Sequence, residues 1–152
     1  MKSEEEVRER GRLILSAIPH CEELGMVMLE ASDAGVVIEL PYNEELEANP
    51  RSGIMHSGAI TTLLDTACGM STYTRLKEFE PCPTLDLRID HLGLPEPFKP
   101  VRAFAEVYRV TRSVMFTRGI AYQTDRDNPF IHAVGTFMRR GPSAIWEKGQ
   151  SS

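Results

Sequence analysis

The stretch GAITTLLDTACGMSTYTRL, residues 58–76, limits the possible folds more than any other part of the chain. It has the length of a helix and is apolar or small almost all round. Such a helix belongs in an interior rather than on a surface, so the rest of the chain must wrap it. That rest reads mostly as strands. Two short strands are expected over about 26–31 and 35–40, joined by the hairpin-type connection Ser32-Asp33-Ala34-Gly35. Four more follow the helix, over about 82–92, 101–110, 114–124 and 130–138. Alternation is plain in Leu85-Asp86-Leu87-Arg88-Ile89-Asp90. The breaks GLPEPFKP, TRS and DRDNP are rich in turn formers. Connections this short favour antiparallel pairing, because parallel strands need long crossovers. The expectation is an α+β chain: a strongly curved antiparallel sheet of five or six strands around one central helix.

A second helix is expected over about 3–18. Val7, Leu13, Ile14 and Ile18 supply its apolar positions, Ser3 and Glu6 resemble a capping box, and Pro19 is expected to end it. Between the second strand and the central helix, PYNEELEANPRSGIMH is polar and turn-rich and reads as a loop with one short helical turn. The 152 residues are the size of one domain, 1–152, with a loose tail over about 141–152. A chain of this length buries about 70% of its unfolded surface, enough for a real core.

Charge and cysteine content narrow the function. A net charge of -5, with the basic residues scattered, argues against nucleic acid. The acidic start MKSEEEVRER is unlike a secretory signal, and no apolar run reaches the length a bilayer requires. Cys21, Cys68 and Cys82 form no C-x-x-C pair, so neither a disulfide framework nor a zinc site is suggested. A cytoplasmic location without membrane attachment is the simplest expectation.

The chemistry concentrates between Asn49 and Gly69. Asp65 is the one charge in the middle of an apolar helix, and buried carboxylates are rare unless partnered. Its same-face neighbours are Thr61, Thr62, Cys68 and Gly69, a narrow polar stripe able to line a cleft. Two readings stand here: a carboxylate that only hydrogen-bonds a loop or faces solvent, or a general base or nucleophile in a partly dry cleft. His56-Ser57-Gly58 lies where the helix starts, with Ser57 or Gly58 as the expected N-cap. The first N–H groups of a helix lack internal partners and sit at its positive end, which suits an oxyanion. Taken alone, His56 reads first as a loop or capping residue. Ser57 and Asp65 are eight residues apart, or about 12 Å of helix. One chain does not easily bring both to one carbonyl, so cooperation between them implies a homodimer with sites at its interface.

The pattern N-P-x-x-G-x-x-H-x-G-x-x-x-x-L-x-D-x-x-x-G over residues 49–69 resembles the signature of hotdog-fold thioesterases of the phenylacetate-pathway (PaaI-like) group. TLDLRIDHLGLP and RAFAEVYRVTRS are similar to that family's first long strands and hairpin, and the resemblance covers roughly 48–138. It implies a hotdog fold and an acyl-CoA thioesterase. Asp65 is then the catalytic carboxylate, and the N–H at Ser57 polarises the thioester carbonyl. His56 and Asn49 shape the thioester region, and Thr84 orients water. Gly58, Thr61 and Thr62 line the substrate site. Coenzyme A enters as part of the substrate, with no separate cofactor or metal. Homodimers, often paired into dimers of dimers, are the assembly it implies. One departure is Ser57, where the family carries glycine: serine does not adopt positive φ as cheaply, so a loop that needs it is distorted.

Arg109, Arg112, Arg139 and Arg140 fall at expected strand ends. They read first as solvated strand-end charges, and second as groups suited to CoA phosphates. Two other functions fit the same motif: a hotdog hydratase or dehydratase on acyl thioesters, and a non-catalytic acyl-CoA-binding domain. The sequence does not fix the acyl group.

Overall fold

The computed structural model describes residues 3–141. Its elements are α1 (Glu4–Ser16), α2 (Pro19–Glu23), β1 (Val27–Ser32), β2 (Gly35–Leu40), α3 (Ser57–Tyr73), β3 (Thr84–His91), β4 (Val101–Val110), β5 (Val114–Tyr122) and β6 (Ile131–Met138). The tail expected over 141–152 lies, beyond Gly141, outside the described residues. One six-stranded sheet runs β1-β2-β4-β5-β6-β3, and every neighbouring pair is antiparallel. The strand first in sequence after α3 therefore crosses to the far edge and pairs with the last.

The sheet takes α3 on one face, against β2, β4 and β5. Leu63, Leu64, Ala67 and Cys68 are fully buried there. The facing strands carry Val36, Ile38, Ala103, Ala105 and Ala121, and the alanines of β4 let the helix approach closely. Each fully buried leucine contributes about 1.5–3 kcal/mol. This is the hotdog architecture that the motif implied. The helix is not enclosed on all sides, however: Ser57, Gly58 and Thr61 of its first turns are exposed.

Outside β2 and β4, strand ends differ from the sequence reading by up to two residues, and the C-terminal ends of the two long helices differ for local reasons. The helix expected over 3–18 stops at Ser16, and Pro19 opens α2 instead of only ending α1. Proline lacks an N–H and has φ preset for a helix, so the first helical position suits it. The central helix ends at Tyr73 rather than 76, where Arg75 N–H turns back to the Thr72 carbonyl in a tighter turn. The start of α1 is as expected: Ser3 and Glu6 form a complete capping box.

Candidate active site

The loop before α3 is fixed by a carboxylate. Glu47 Oε1 accepts hydrogen bonds from the Tyr42 hydroxyl at 2.5 Å and the Gly53 N–H at 2.9 Å. The bond from Tyr42 holds the Glu47 carboxyl below its ordinary range, and the same bond pushes the Tyr42 hydroxyl up to about 12. Gly53 has φ +69°, and its carbonyl oxygen accepts a hydrogen bond from Phe98 N–H at 2.8 Å. A Cβ at 53 would lie 2.7 Å from the Phe98 ring, so both the backbone and the space require glycine. Phe98 also meets Tyr42 edge-on, with ring centroids 5.6 Å apart. Across the loop, Glu47 and Met55 form an isolated antiparallel bridge, and Ala48 N–H reaches the Ile54 carbonyl at 2.8 Å.

This loop delivers His56 as the N-cap of α3, one residue earlier than the sequence suggested. His56 N–H donates to the Leu46 carbonyl, and its Nδ1 accepts the Gly58 N–H at 2.9 Å. With Nδ1 accepting, the ring's remaining donor position is Nε2. Gly58 is glycine because a Cβ there would come within 3.0 Å of that Nδ1. Ser57 is the first helical residue, and its N–H has no partner among the described residues. Ser57 is absent from the positive-φ positions, which among non-glycine residues are Arg51 and Phe98. The glycine-to-serine departure therefore carries no backbone strain here.

Two turns along α3, Asp65 is half-buried and accepts a hydrogen bond from the Thr84 hydroxyl, at the start of β3, at 2.9 Å. Its other oxygen has no hydrogen bond among the described residues. Asp65 lines a groove of about 350 Å3 between α3, the α1–α2 elbow and the segment 79–84. Of the polar stripe read from the sequence, Thr62 and Gly69 line this groove, whereas Thr61 is exposed and Cys68 is buried against β5. Around the helix, Thr62, Thr66, Gly69 and Tyr73 lie to one side of Asp65, and Thr61 and Cys68 to the other.

The remaining sequence candidates are dispersed. Asn49 is exposed in the turn before α3, where its carbonyl accepts Ser52 N–H at 3.1 Å. Arg112 is exposed in the β4–β5 turn. Arg139 is already engaged: it donates to Glu80 at 2.8 Å and to the Thr111 carbonyl at 3.1 Å. Its hydrogen bond keeps the Glu80 carboxyl below its ordinary range. One chain thus joins Asp65, Thr62 and Thr84, and leaves His56, Ser57, Gly58 and Asn49 outside the groove. Sequence reasoning missed the groove's other wall, with Cys21, Phe79 and Cys82. Cys21 Sγ lies 3.7 Å from Thr66 Oγ1 across 45 residues, a separation that no local pattern marks.

Comparison with known proteins agrees with the fold. A solved Pseudomonas aeruginosa protein is 53% identical, with 88% of this chain and 98% of that one covered and a TM-score of 0.82. A thioesterase family protein from Silicibacter pomeroyi, 23% identical over 86% of this chain and 96% of its own, has a TM-score of 0.75 and shares the fold. So does thioesterase superfamily member 2 of Mus musculus, 14% identical over 91% of this chain and 98% of its own, at 0.73. A provisionally named esterase of Halobacterium salinarum is 33% identical over 98 residues, which are 60% of this chain and 61% of that protein's length. The model of the thioesterase superfamily matches residues 52–129, half of the chain, and includes both the α3 start and Asp65. The chain belongs to the thioesterase superfamily.

Proposed function

We propose that the chain hydrolyses acyl-CoA thioesters to a free acid and coenzyme A, with Asp65 as the base that activates water. The observation that carries this reading is the half-buried Asp65 carboxylate, which lines a groove with one oxygen engaged by Thr84. Water adds to the thioester carbonyl as Asp65 takes its proton. Negative charge then develops on the carbonyl oxygen, and the Ser57 N–H at the positive end of α3 receives it. Collapse of the tetrahedral species expels the CoA thiolate, which picks up the proton. The thiolate is a good leaving group, so no strong acid is needed.

Asp65 and Ser57 reach one carbonyl only when they come from different copies of the chain, because about 12 Å of helix separates them. The exposed strand β3 supports a homodimer with shared sites. It ends the sheet with an unpaired edge, and Leu85 on it is 54% exposed despite the alternation that marks one face for burial. Open, apolar strand edges are normally covered. At the opposite edge, α1 lies against β1. The same reading takes the chain as a PaaI-like member of the superfamily, a proposal supported by the motif spacing over residues 49–69.

The test is release of free thiol from a panel of aryl, short-chain and medium-chain acyl-CoAs. Wild-type protein is expected to turn over at least one of them. Asp65→Asn keeps an acceptor for the Thr84 hydroxyl and is expected to lose about 10²–10⁴-fold in kcat, with an unchanged circular dichroism spectrum. Undiminished turnover in that variant removes Asp65 from the chemistry.

A further inference from the structure

The segment 79–84 carries Thr84 to Asp65, and little of its own backbone holds it. Pro81 and Pro83 have no N–H to donate. Residues 80–82 make no backbone hydrogen bond among the described residues. The first backbone tie is at Pro83, whose carbonyl accepts Met138 N–H at 2.9 Å. Just beyond it the β3–β6 register shifts between Thr84 and Asp86, on a strand that forms one edge of the sheet. Such a shift locally disrupts the ladder, so the start of β3 is held less firmly than its middle. The anchor is a side chain instead. Glu80 is only 7% exposed. Its carboxylate accepts from Arg139 Nη2 at 2.8 Å, from Arg139 Nε at 3.4 Å and from Gly141 N–H at 3.2 Å.

Arg139 is fixed in turn by the β4–β5 connection. Its Nη1 donates to the Thr111 carbonyl at 3.1 Å, and its backbone N–H to the Ser113 carbonyl at 2.8 Å. The end of β6, the β4–β5 turn and the segment 79–84 thus converge on one ion pair. A buried pair adds little net stability, because the cost of desolvating two charges offsets their attraction. What it does well is fix one geometry, since the planar guanidinium meets the carboxylate at two points. The segment held in this way is a wall of the groove. Four residues beyond Glu80 it supplies the Thr84 hydroxyl that donates to Asp65 at 2.9 Å.

We propose that Glu80 and Arg139 are positioning residues: their ion pair seats the segment 79–84 so that the Thr84 hydroxyl meets the Asp65 carboxylate. The proposal rests on the hydrolase reading above and adds how its base is held. Neither residue touches the reacting atoms; both act through Thr84. Arg139 thereby has a task other than the phosphate contact that its place at a strand end suggested.

Cys82 reports the seat without any turnover. It lies on the same segment and is half-buried, whereas Cys21 and Cys68 are buried. Burial pushes its thiol up, so it reacts slowly with an aryl disulfide reagent while the segment is seated. Arg139→Gln removes a cation that favours the Cys82 thiolate, and by charge alone slows that reaction. Release of the segment has the opposite sign: Cys82 labelling in Arg139→Gln is expected to accelerate about tenfold, the scale of a lost hydrogen bond between charged groups. An unchanged or slower rate overturns the proposal. The kinetic arm uses Glu80→Gln, which keeps the side chain's size and an acceptor for Gly141 N–H. With the acyl-CoA that wild type turns over fastest, this variant is expected to lower kcat about 2- to 10-fold with KM little changed. The Glu80→Gln/Thr84→Val double variant is expected to lose no more than Thr84→Val alone, because the first change acts through the second residue. Losses that multiply in the double variant, or a Glu80→Gln effect confined to KM, make the pair a mere brace for the groove wall and overturn the proposal. If wild type turns over no acyl-CoA, the hydrolase reading fails by itself, and the Cys82 rate still decides whether the pair seats the segment.

Discussion

The start of α3 and its middle are built by opposite means. At the start, a polar loop is over-determined: Glu47 ties Tyr42 to Gly53, Gly53 ties Phe98, and His56 closes on Gly58. Two non-glycine residues there, Arg51 and Phe98, hold positive φ, which persists only where surrounding contacts enforce it. In the middle, Asp65 has one hydrogen bond, from Thr84, and otherwise meets an apolar groove. The difference matches the two tasks that the proposed hydrolysis assigns to these parts. A hydrogen-bond donor aimed at an oxyanion helps in proportion to how firmly it is fixed beforehand. A base surrounded by donors is a poor base, because each bond to its charged form favours that form.

That contrast predicts a graded series of losses. Ser57→Pro deletes the N–H at the helix start together with the serine hydroxyl, and Ser57→Ala serves as the control that removes the hydroxyl alone. Proline suits the first helical position, and His56 already has ψ 137°, compatible with a following proline. The variant is expected to fold, to keep its Tm and to lose about 10²–10³-fold in kcat. Full activity would show that the α3 start does not serve the reaction. Gly53→Ala attacks the framework instead. Its methyl meets Phe98 in a conformation that alanine adopts poorly, so the loop shifts. A displacement near 1 Å costs up to about 10²-fold in kcat/KM, here accompanied by a lower Tm. Normal kinetics with a normal Tm would mean that the loop is not over-determined. Thr84→Val removes the one hydrogen bond to Asp65 and is expected to reduce kcat/KM by about 2- to 10-fold, the scale of a single hydrogen bond. A loss as large as that of Asp65→Asn would make the hydroxyl part of the chemistry rather than a support.

The sequence made some of this legible because some of it is local. The spans 35–40 and 101–110 emerge in the structure as β2 and β4 with those limits, because turn formers bound both strands at each end. The Ser3–Glu6 box is read from a three-residue spacing. The cluster around residues 56–58 and Asp65 stands out because a charge in an apolar helix and a glycine-flanked histidine are locally unusual. What stayed hidden is what distant partners decide. Arg139 reads as a phosphate ligand until Glu80, 59 residues away, is seen to hold it. Alternation along β3 shows which residues share a face and not that the strand crosses to pair with β6. Cys21 and Phe79 reach the groove only because α2 and the segment before β3 converge on α3. Pro19 is ambiguous in principle, since the same ring ends one helix and starts the next.

The central claim is that each site draws its base from one subunit and its oxyanion donor from another. The direct test mixes two disabled variants, Asp65→Asn and Ser57→Pro, under conditions that exchange subunits, and assays thiol release. In a two-fold dimer, half of the random pairs are mixed and each mixed pair rebuilds one of its two sites. The account predicts recovery to about a quarter of wild-type activity, from two proteins that are nearly inactive alone. A mixture whose subunits have demonstrably exchanged, yet which stays as inactive as its components, contradicts it.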